Sequence, residues 1–236
     1  MDHRLVTWAR EVKARQRRLG LPGRDLPPLW LFTDALRLPD PRAAIAALPR
    51  RLCGVVFRHD GVAGRAALAK AVAQQCRTLG IPLVVAGDAR LAAAVGAGVH
   101  LRGGRPANRG SRLLRRPAAL VTSSAHSAAD MRRAKRMGAD AVFLSPALPT
   151  QSHPGAPALG VVRWAALTRL ARGRSMALGG MEGRTARRLP RWCRGVGAIG
   201  ALIAVAADPC CLAATVFRNY HKSSDQAIAA NGSARQ

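Results

Sequence analysis

ALVTSSAHSAADMRRAKRMGADAVFLSP, Ala119–Pro146, contains one complete strand–helix–strand unit. ALVTSS (Ala119–Ser124) is a short apolar run closed by serines, and Ser127–Ala128 carries a helix-start signal. Ala128–Met137 then reads as a helix that stops at Gly138, and AVFLSP (Ala141–Pro146) is a second apolar run. Neither run alternates polar with apolar residues. That absence marks strands buried on both faces, which is the habit of parallel sheets whose crossovers are helices.

The same rhythm extends in both directions. Upstream lie LWLFTD (Leu29–Asp34), GVVFRH (Gly54–His59), PLVVAG (Pro82–Gly87) and GVHL (Gly98–Leu101), and downstream SMALGG (Ser175–Gly180) and VGAIGAL (Val196–Leu202). Helical patterns separate them, clearest at Ala66–Leu79, and Asp40–Pro41 signals another helix start. Eight runs in one chain of 236 residues predict a (β/α)8 TIM barrel of the α/β class. A doubly wound open sheet is the other candidate, but it usually has fewer strands and needs a switch point. Residues 1–28 form an N-terminal helix (Arg4–Leu19) and linker, expected to cap the barrel's bottom or to make dimer contacts. Residues 29–218 form the barrel, and the polar segment 219–236 is expected to be a disordered tail.

Composition narrows the function classes. Lys and Arg total 38 against 12 Asp and Glu, a net charge of +26, and only Lys13, Lys70, Lys135 and Lys222 among them are lysines. The arginines are spread along the whole chain with no aromatic interleaving, so they read as solvated helix faces rather than a specific nucleic-acid interface. Weak, salt-sensitive binding to polyanions is the most that this charge implies. The five cysteines (Cys53, Cys76, Cys193, Cys210, Cys211) have neither zinc-ligand spacing nor a CxxC pair, which suits a reducing cytoplasm. No apolar segment follows Met1–Arg10 as in a signal peptide. The longest apolar run, Val196–Ala207, is too short to cross a bilayer and reads as a strand plus the start of a helix.

In a barrel the chemistry belongs at the C-terminal ends of the strands. There the sequence offers Arg58, His59 and Asp60; Gly87 and Asp88; His100, Arg102 and Arg105; Ser123, Ser124 and His126; the loop Ser145–Gly155; and the glycines Gly179, Gly180, Gly197 and Gly200. Glycines after the last two strands let backbone N–H groups approach a phosphate, and Thr150 and Ser152 add hydroxyl donors. Arg58 and Arg105 have the fork geometry for a second phosphate. His126 is placed to exchange a proton near neutral pH, whereas His100, at the end of an apolar run, reads as packed.

Four stretches then resemble one family. VVAGDARLAAAVGAGVHL (Val84–Leu101), SSAHSAADMRRAKRMGADAVFLSPALPTQSHPGAPALG (Ser123–Gly160), MALGGM (Met176–Met181) and GVGAIGALI (Gly195–Ile203) are similar to thiamine phosphate synthases and their TenI (thiazole tautomerase) relatives. The resemblance implies a barrel that joins a hydroxymethylpyrimidine diphosphate to a thiazole phosphate, releasing pyrophosphate with Mg²⁺. It implies that Thr150, Gln151, Ser152, Gly179, Gly180, Ile199 and Gly200 hold the thiazole phosphate and that Arg58 holds the diphosphate; Arg105 and His153, which depart from the family pattern, are expected to bind the diphosphate beside it. Ser124 matches a serine near the reacting groups, and His126 matches the acid/base histidine of the tautomerase branch.

The sequence departs from the family on one side. Asp60 stands where the family has Lys, and Ala86–Gly87 where it has Asn-Asp. Arg105 replaces an Asp, and His153 a Lys. Asp88 is the remaining candidate ligand for Mg²⁺. The sequence therefore predicts a phosphate side better kept than the metal side. A synthase-like transferase is the leading reading. The alternatives are a TenI-like tautomerase or a non-catalytic regulatory protein that binds thiazole or thiamine phosphate.

Overall fold

The computed structural model describes residues 1–20, 24–105, 119–150, 155, 157–171 and 173–203. Eight parallel strands close into a barrel in sequence order. They are Leu29–Phe32 (β1), Cys53–Phe57 (β2), Leu83–Ala86 (β3), Gly98–Leu101 (β4), Val121–Ala125 (β5), Ala141–Leu144 (β6), Ser175–Leu178 (β7) and Val196–Ala198 (β8). Each lies within or beside one of the eight apolar runs, and β8 pairs back onto β1 through Leu29–Val196 and Trp30–Gly197. The run at Val196 continues as a short 3-10 turn, Gly200–Leu202. No helix among the described residues is long and apolar enough to cross a membrane. The expected tail, 219–236, lies outside the described residues.

Seven helices are described: His3–Arg18 (α1), Arg42–Ala46 (α2), Arg65–Leu79 (α3), Ala89–Ala94 (α4), Ala128–Arg136 (α5), Gly160–Thr168 (α6) and Gly183–Ala186 (α7). Their ends follow local chemistry. Ser127 caps α5 by accepting from Asp130 N at 3.2 Å, and Arg133, Lys135 and Arg136 occupy its last turn, where the helix dipole favours positive charge. Asp88 caps α4 in the same way, accepting from Leu91 N at 2.9 Å.

Alternate strand residues divide the core in two. Odd-numbered β1 and β2 residues such as Leu29, Leu31, Val55 and Phe57 join the layer beneath the helices. Trp30, Phe32, Val56, Val84, Ala86, Ala141, Phe143 and Met176 fill the barrel's interior. Aromatics make up only 4% of the chain, and three of them, from two strands, supply much of the interior volume. Trp30 meets Phe143 edge-on at 5.8 Å, and Phe32 meets the same ring at 4.9 Å. Space for the β1 rings comes from glycines on both neighbouring strands. A Cβ at Gly54 would lie 2.7 Å from Trp30, and one at Gly197 would lie 2.5 Å from Phe32.

The helix α1 does not cap the bottom of the barrel; it runs down the wall. At the C-terminal rim, Asp2 N donates to Ala201 O at 2.9 Å, and Asp2 Oδ2 accepts from Gly183 N at 2.6 Å. At the other end, Arg15 Nη1 donates to Arg191 O and Gln16 Nε2 to Arg194 O, both at 2.6 Å. Between these anchors Leu5, Trp8, Ala9 and Val12 are buried in the layer that contains Leu29, Leu31 and Val196. The helix thus lies antiparallel to β8 and beside α7, as a member of the outer ring. Its apolar stripe at positions 5, 8, 9 and 12 runs the length of the helix, which matches a strand-lined wall rather than a barrel end. Leu5→Ala is therefore expected to cost about 2–4 kcal/mol in urea unfolding. A loss under about 0.5 kcal/mol, ordinary for a surface site, would contradict this placement.

Candidate functional site

The C-terminal ends of the strands form a mouth with two chemically different sides. On the β1–β4 side, arginines and aspartates interlock. Arg58 follows β2. Its backbone N donates to Thr33 Oγ1 at 2.9 Å, its Nε to Thr33 O and its Nη2 to Asp34 Oδ2, both at 3.3 Å. Its guanidinium sits 5.9 Å from the centroid of Phe32, so an interior ring supports it from below. Burial pushes its pKa down, while Asp34 and Asp60 oppose that shift. The guanidinium remains a cation throughout the physiological range.

Asp60 accepts from Arg65 Nη2 at 3.3 Å and is also ion-paired with Arg102. Arg65, the first residue of α3, donates Nη1 to Asp88 Oδ2 at 2.9 Å and Nη2 to Ala86 O at 3.2 Å. Arg105 is exposed at the end of a tight turn in which its N donates to Arg102 O at 3.0 Å.

This donor set does not fit Mg²⁺. Asp88 Oδ1 is the cap of α4 and Oδ2 is held by Arg65. The Leu91 N–H and the Arg65 guanidinium hold its carboxyl below the usual carboxylate range despite burial. Asp60 is held between two guanidiniums. Mg²⁺ takes an octahedral set of hard oxygens. Among the described residues, no group of three or more His, Cys, Asp or Glu side chains is placed to hold a metal.

The turn after β4 rests on the serines of β5. Gly104 N donates to Ser123 Oγ at 3.0 Å, and Gly103 N to Ser124 Oγ at 3.2 Å. Gly104 has φ +69° and packs so closely on α5 that a Cβ would lie 2.5 Å from Ala134 N. Ser124 is therefore a support of this turn as well as a half-buried hydroxyl at the mouth. His126 follows directly after β5. Its Nδ1 lies 3.0 Å from Ser145 O and 3.3 Å from Ser145 Oγ. A carbonyl can only accept, so Nδ1 carries the proton and Nε2 is left as the basic nitrogen.

On the β6–β8 side the chain is bound tightly to itself. Ala147 N donates to Leu178 O at 2.8 Å, and Leu148 N to Gly179 O at 3.3 Å. Gly180 has φ +68°, and a Cβ there would collide with Pro149 O. This close approach is a structural need for glycine that stands whether or not a phosphate binds. Ile199 and Gly200 begin the short turn after β8, and Thr150 is half-buried at the end of the described β6 loop. Gln151, Ser152 and His153 lie outside the described residues.

Two histidines near the mouth are structural. His59 is buried, with Nδ1 3.0 Å from Thr33 Oγ1 and Nε2 3.0 Å from Leu38 O. His100 lies inside the barrel, with Nδ1 2.9 Å from Thr122 Oγ1 and its ring edge-on to Phe32 at 5.5 Å. The sequence alone marks neither Arg65 nor Asp34 as a partner at the mouth, and offers Ser145 only as the start of the β6 loop. Arg65 opens a helix five residues after Asp60, and that spacing at a strand end was the available signal. Nothing in the local sequence pairs Ser145 with His126.

Comparison with known proteins gives a consistent picture. The profile of the family described as thiamine monophosphate synthase matches residues 43–202. A thiamine-phosphate synthase from Thiobacillus denitrificans is 35% identical over 140 residues, which is 58% of this chain and 66% of that protein. The chain thus matches just under two thirds of that relative's length. Among solved structures, thiamine phosphate pyrophosphorylase from Pyrococcus furiosus aligns with a TM-score of 0.58 at 21% identity, covering 79% of this chain and 91% of that one. A FabK variant from Thermotoga maritima aligns with a TM-score of 0.57 at 18% identity, covering 75% and 62%. At these identities the two structures speak to the fold alone.

His100 gives the mouth a measurable signature. Burial, with the nearby Arg58 and Arg102, brings its pKa from 6.5 down to about 3. Between those values the unfolded chain takes up a proton that the folded chain refuses. Its contribution to stability is therefore full above the unfolded value and declines as pH falls toward the folded one. In NMR titration the His100 ring is expected to keep neutral-imidazole shifts down to about pH 4. A titration midpoint near the unperturbed value would contradict its burial between Phe32 and Thr122.

Proposed function

This chain belongs to the thiamine monophosphate synthase family, and we propose that it joins a hydroxymethylpyrimidine diphosphate to a thiazole phosphate. In that reaction the carbon–oxygen bond to the diphosphate breaks, the thiazole nitrogen takes the carbon, and pyrophosphate leaves with the bonding electron pair. The observation that carries the reading is Arg58, anchored on Thr33 and Asp34 over Phe32. A fixed cation at a strand end is what a departing diphosphate needs, because charge develops on its oxygen as the bond breaks. Arg105 and His153 belong to the same proposed anion site. Thr150, Gln151, Ser152, Gly179, Gly180, Ile199 and Gly200 are the proposed thiazole phosphate contacts, and Ser124 lies between the two sides. A cytoplasmic location completes the proposal; Cys53, Cys76 and Cys193 are buried free thiols, as a reducing compartment allows.

A second reading has its own observation. His126 has its tautomer fixed by Ser145 O, so Nε2 can remove a proton from a bound thiazole, as a tautomerase requires.

Incubating the protein with both precursors and following thiamine phosphate by fluorescence after oxidation distinguishes these. The transferase reading expects product and pyrophosphate in equal amounts, and a loss of about 100-fold in kcat for Arg58→Ala. Folded protein that forms no product would remove the transferase reading. Thiazole isomerisation abolished by His126→Ala would then establish the second, and ligand-dependent stabilisation without either turnover would leave binding alone.

A further inference from the structure

We infer that this protein binds the diphosphate group without a divalent metal, through an arginine lattice in which Arg102 and Arg65 do the work that Mg²⁺ does elsewhere in the family. The inference rests on the proposed transferase reading and deepens it. It begins from the donor set, which does not fit the metal. Every aspartate on this side of the mouth already faces a guanidinium: Asp34 faces Arg58 and Arg37, Asp60 faces Arg65 and Arg102, and Asp88 faces Arg65. A metal would have to displace cations from each carboxylate it used, and the arginines left behind would repel it.

The lattice is also surplus in positive charge. Arg37, Arg58, Arg65, Arg102 and Arg105 outnumber Asp34, Asp60 and Asp88 by two, so the assembly attracts a polyanion rather than a cation. It holds an unused donor too, for Arg65 Nε is buried and has no hydrogen-bond partner among the described residues. A buried donor without an acceptor is costly and rare in a finished site. The two paired arginines differ in mobility. Arg65 is mostly buried and fixed by three acceptors, Asp60, Asp88 and Ala86 O. Arg102 has a side chain 57% exposed, and its one carboxylate partner among the described residues, Asp60, is itself 47% exposed. An exposed pair of this kind is weak and exchanges readily. Arg102 is therefore the residue that turns from Asp60 to an arriving diphosphate, presenting a planar fork to its oxygens. Asp60, standing where the family has lysine, holds Arg102 in the absence of the anion and competes with it.

This competition fixes the sign of the test. Pyrophosphate binding is measured by isothermal titration in EDTA and again with excess Mg²⁺, for the parent, Arg102→Ala and Asp60→Asn. The expected result is binding in EDTA that Mg²⁺ does not tighten, a loss of at least about tenfold in affinity for Arg102→Ala, and a gain of about fivefold for Asp60→Asn. Arg102 and Asp60 are both exposed, so the two variants are expected to fold, and circular dichroism checks that they do. Binding that appears only with Mg²⁺, or that weakens in Asp60→Asn, overturns the inference while leaving the transferase reading intact. Pyrophosphate that fails to bind under either condition also overturns it, and the reading itself is judged separately by product formation.

Discussion

Trp30 and Phe32 are too large for an eight-stranded barrel unless the strands on both sides give way. Gly54 on β2 and Gly197 on β8 supply that room, because β1 is flanked by these two strands once the barrel closes. The interior is then filled from one side by rings and from the other by Phe143, with Val and Ala between them. Phe32 carries this constraint to the mouth. One face of its environment holds His100 edge-on, and Arg58 lies above its ring. A side chain added at Gly197 would move Phe32, and with it the support of the cation at the end of β2. Packing in a core poor in aromatics thus sets where the charged chemistry stands.

The barrel was legible in the sequence because its signals are local and repeated. Continuous apolar runs mark strands buried on both faces, and Gly138 or Ser127 mark helix ends within a few residues of where they occur. The path of α1 was not legible. Its stripe at Leu5, Trp8, Ala9 and Val12 says that one face is buried, but not against what. The answer depends on Asp2 meeting Gly183 and Gln16 meeting Arg194, contacts between residues far apart in the sequence.

The site divides along the same line. Strand-end residues such as Arg58, Ser124 and His126 follow from the barrel rule and occur at the mouth. Their partners do not follow, since Arg65, at the start of the β2–β3 crossover, reaches Asp88 after β3, and Ser145 reaches His126 from the next strand. The sequence offers the glycines after β7 as phosphate contacts, and their close approach to Pro146–Pro149 shows a packing role that spacing alone does not reveal. The departures at Asp60, Ala86–Gly87, Arg105 and His153, by contrast, are readable residue by residue from the family resemblance. The structure adds that Asp34, Asp60 and Asp88 are each ion-paired with arginine.

A crystal soaked with pyrophosphate and Mn²⁺ tests that claim most directly, because anomalous scattering separates the metal from the anion. The account predicts anion density within hydrogen-bond reach of Arg58 and Arg102, with Asp60 and Asp88 free of manganese. An anomalous peak coordinated by either aspartate would contradict it.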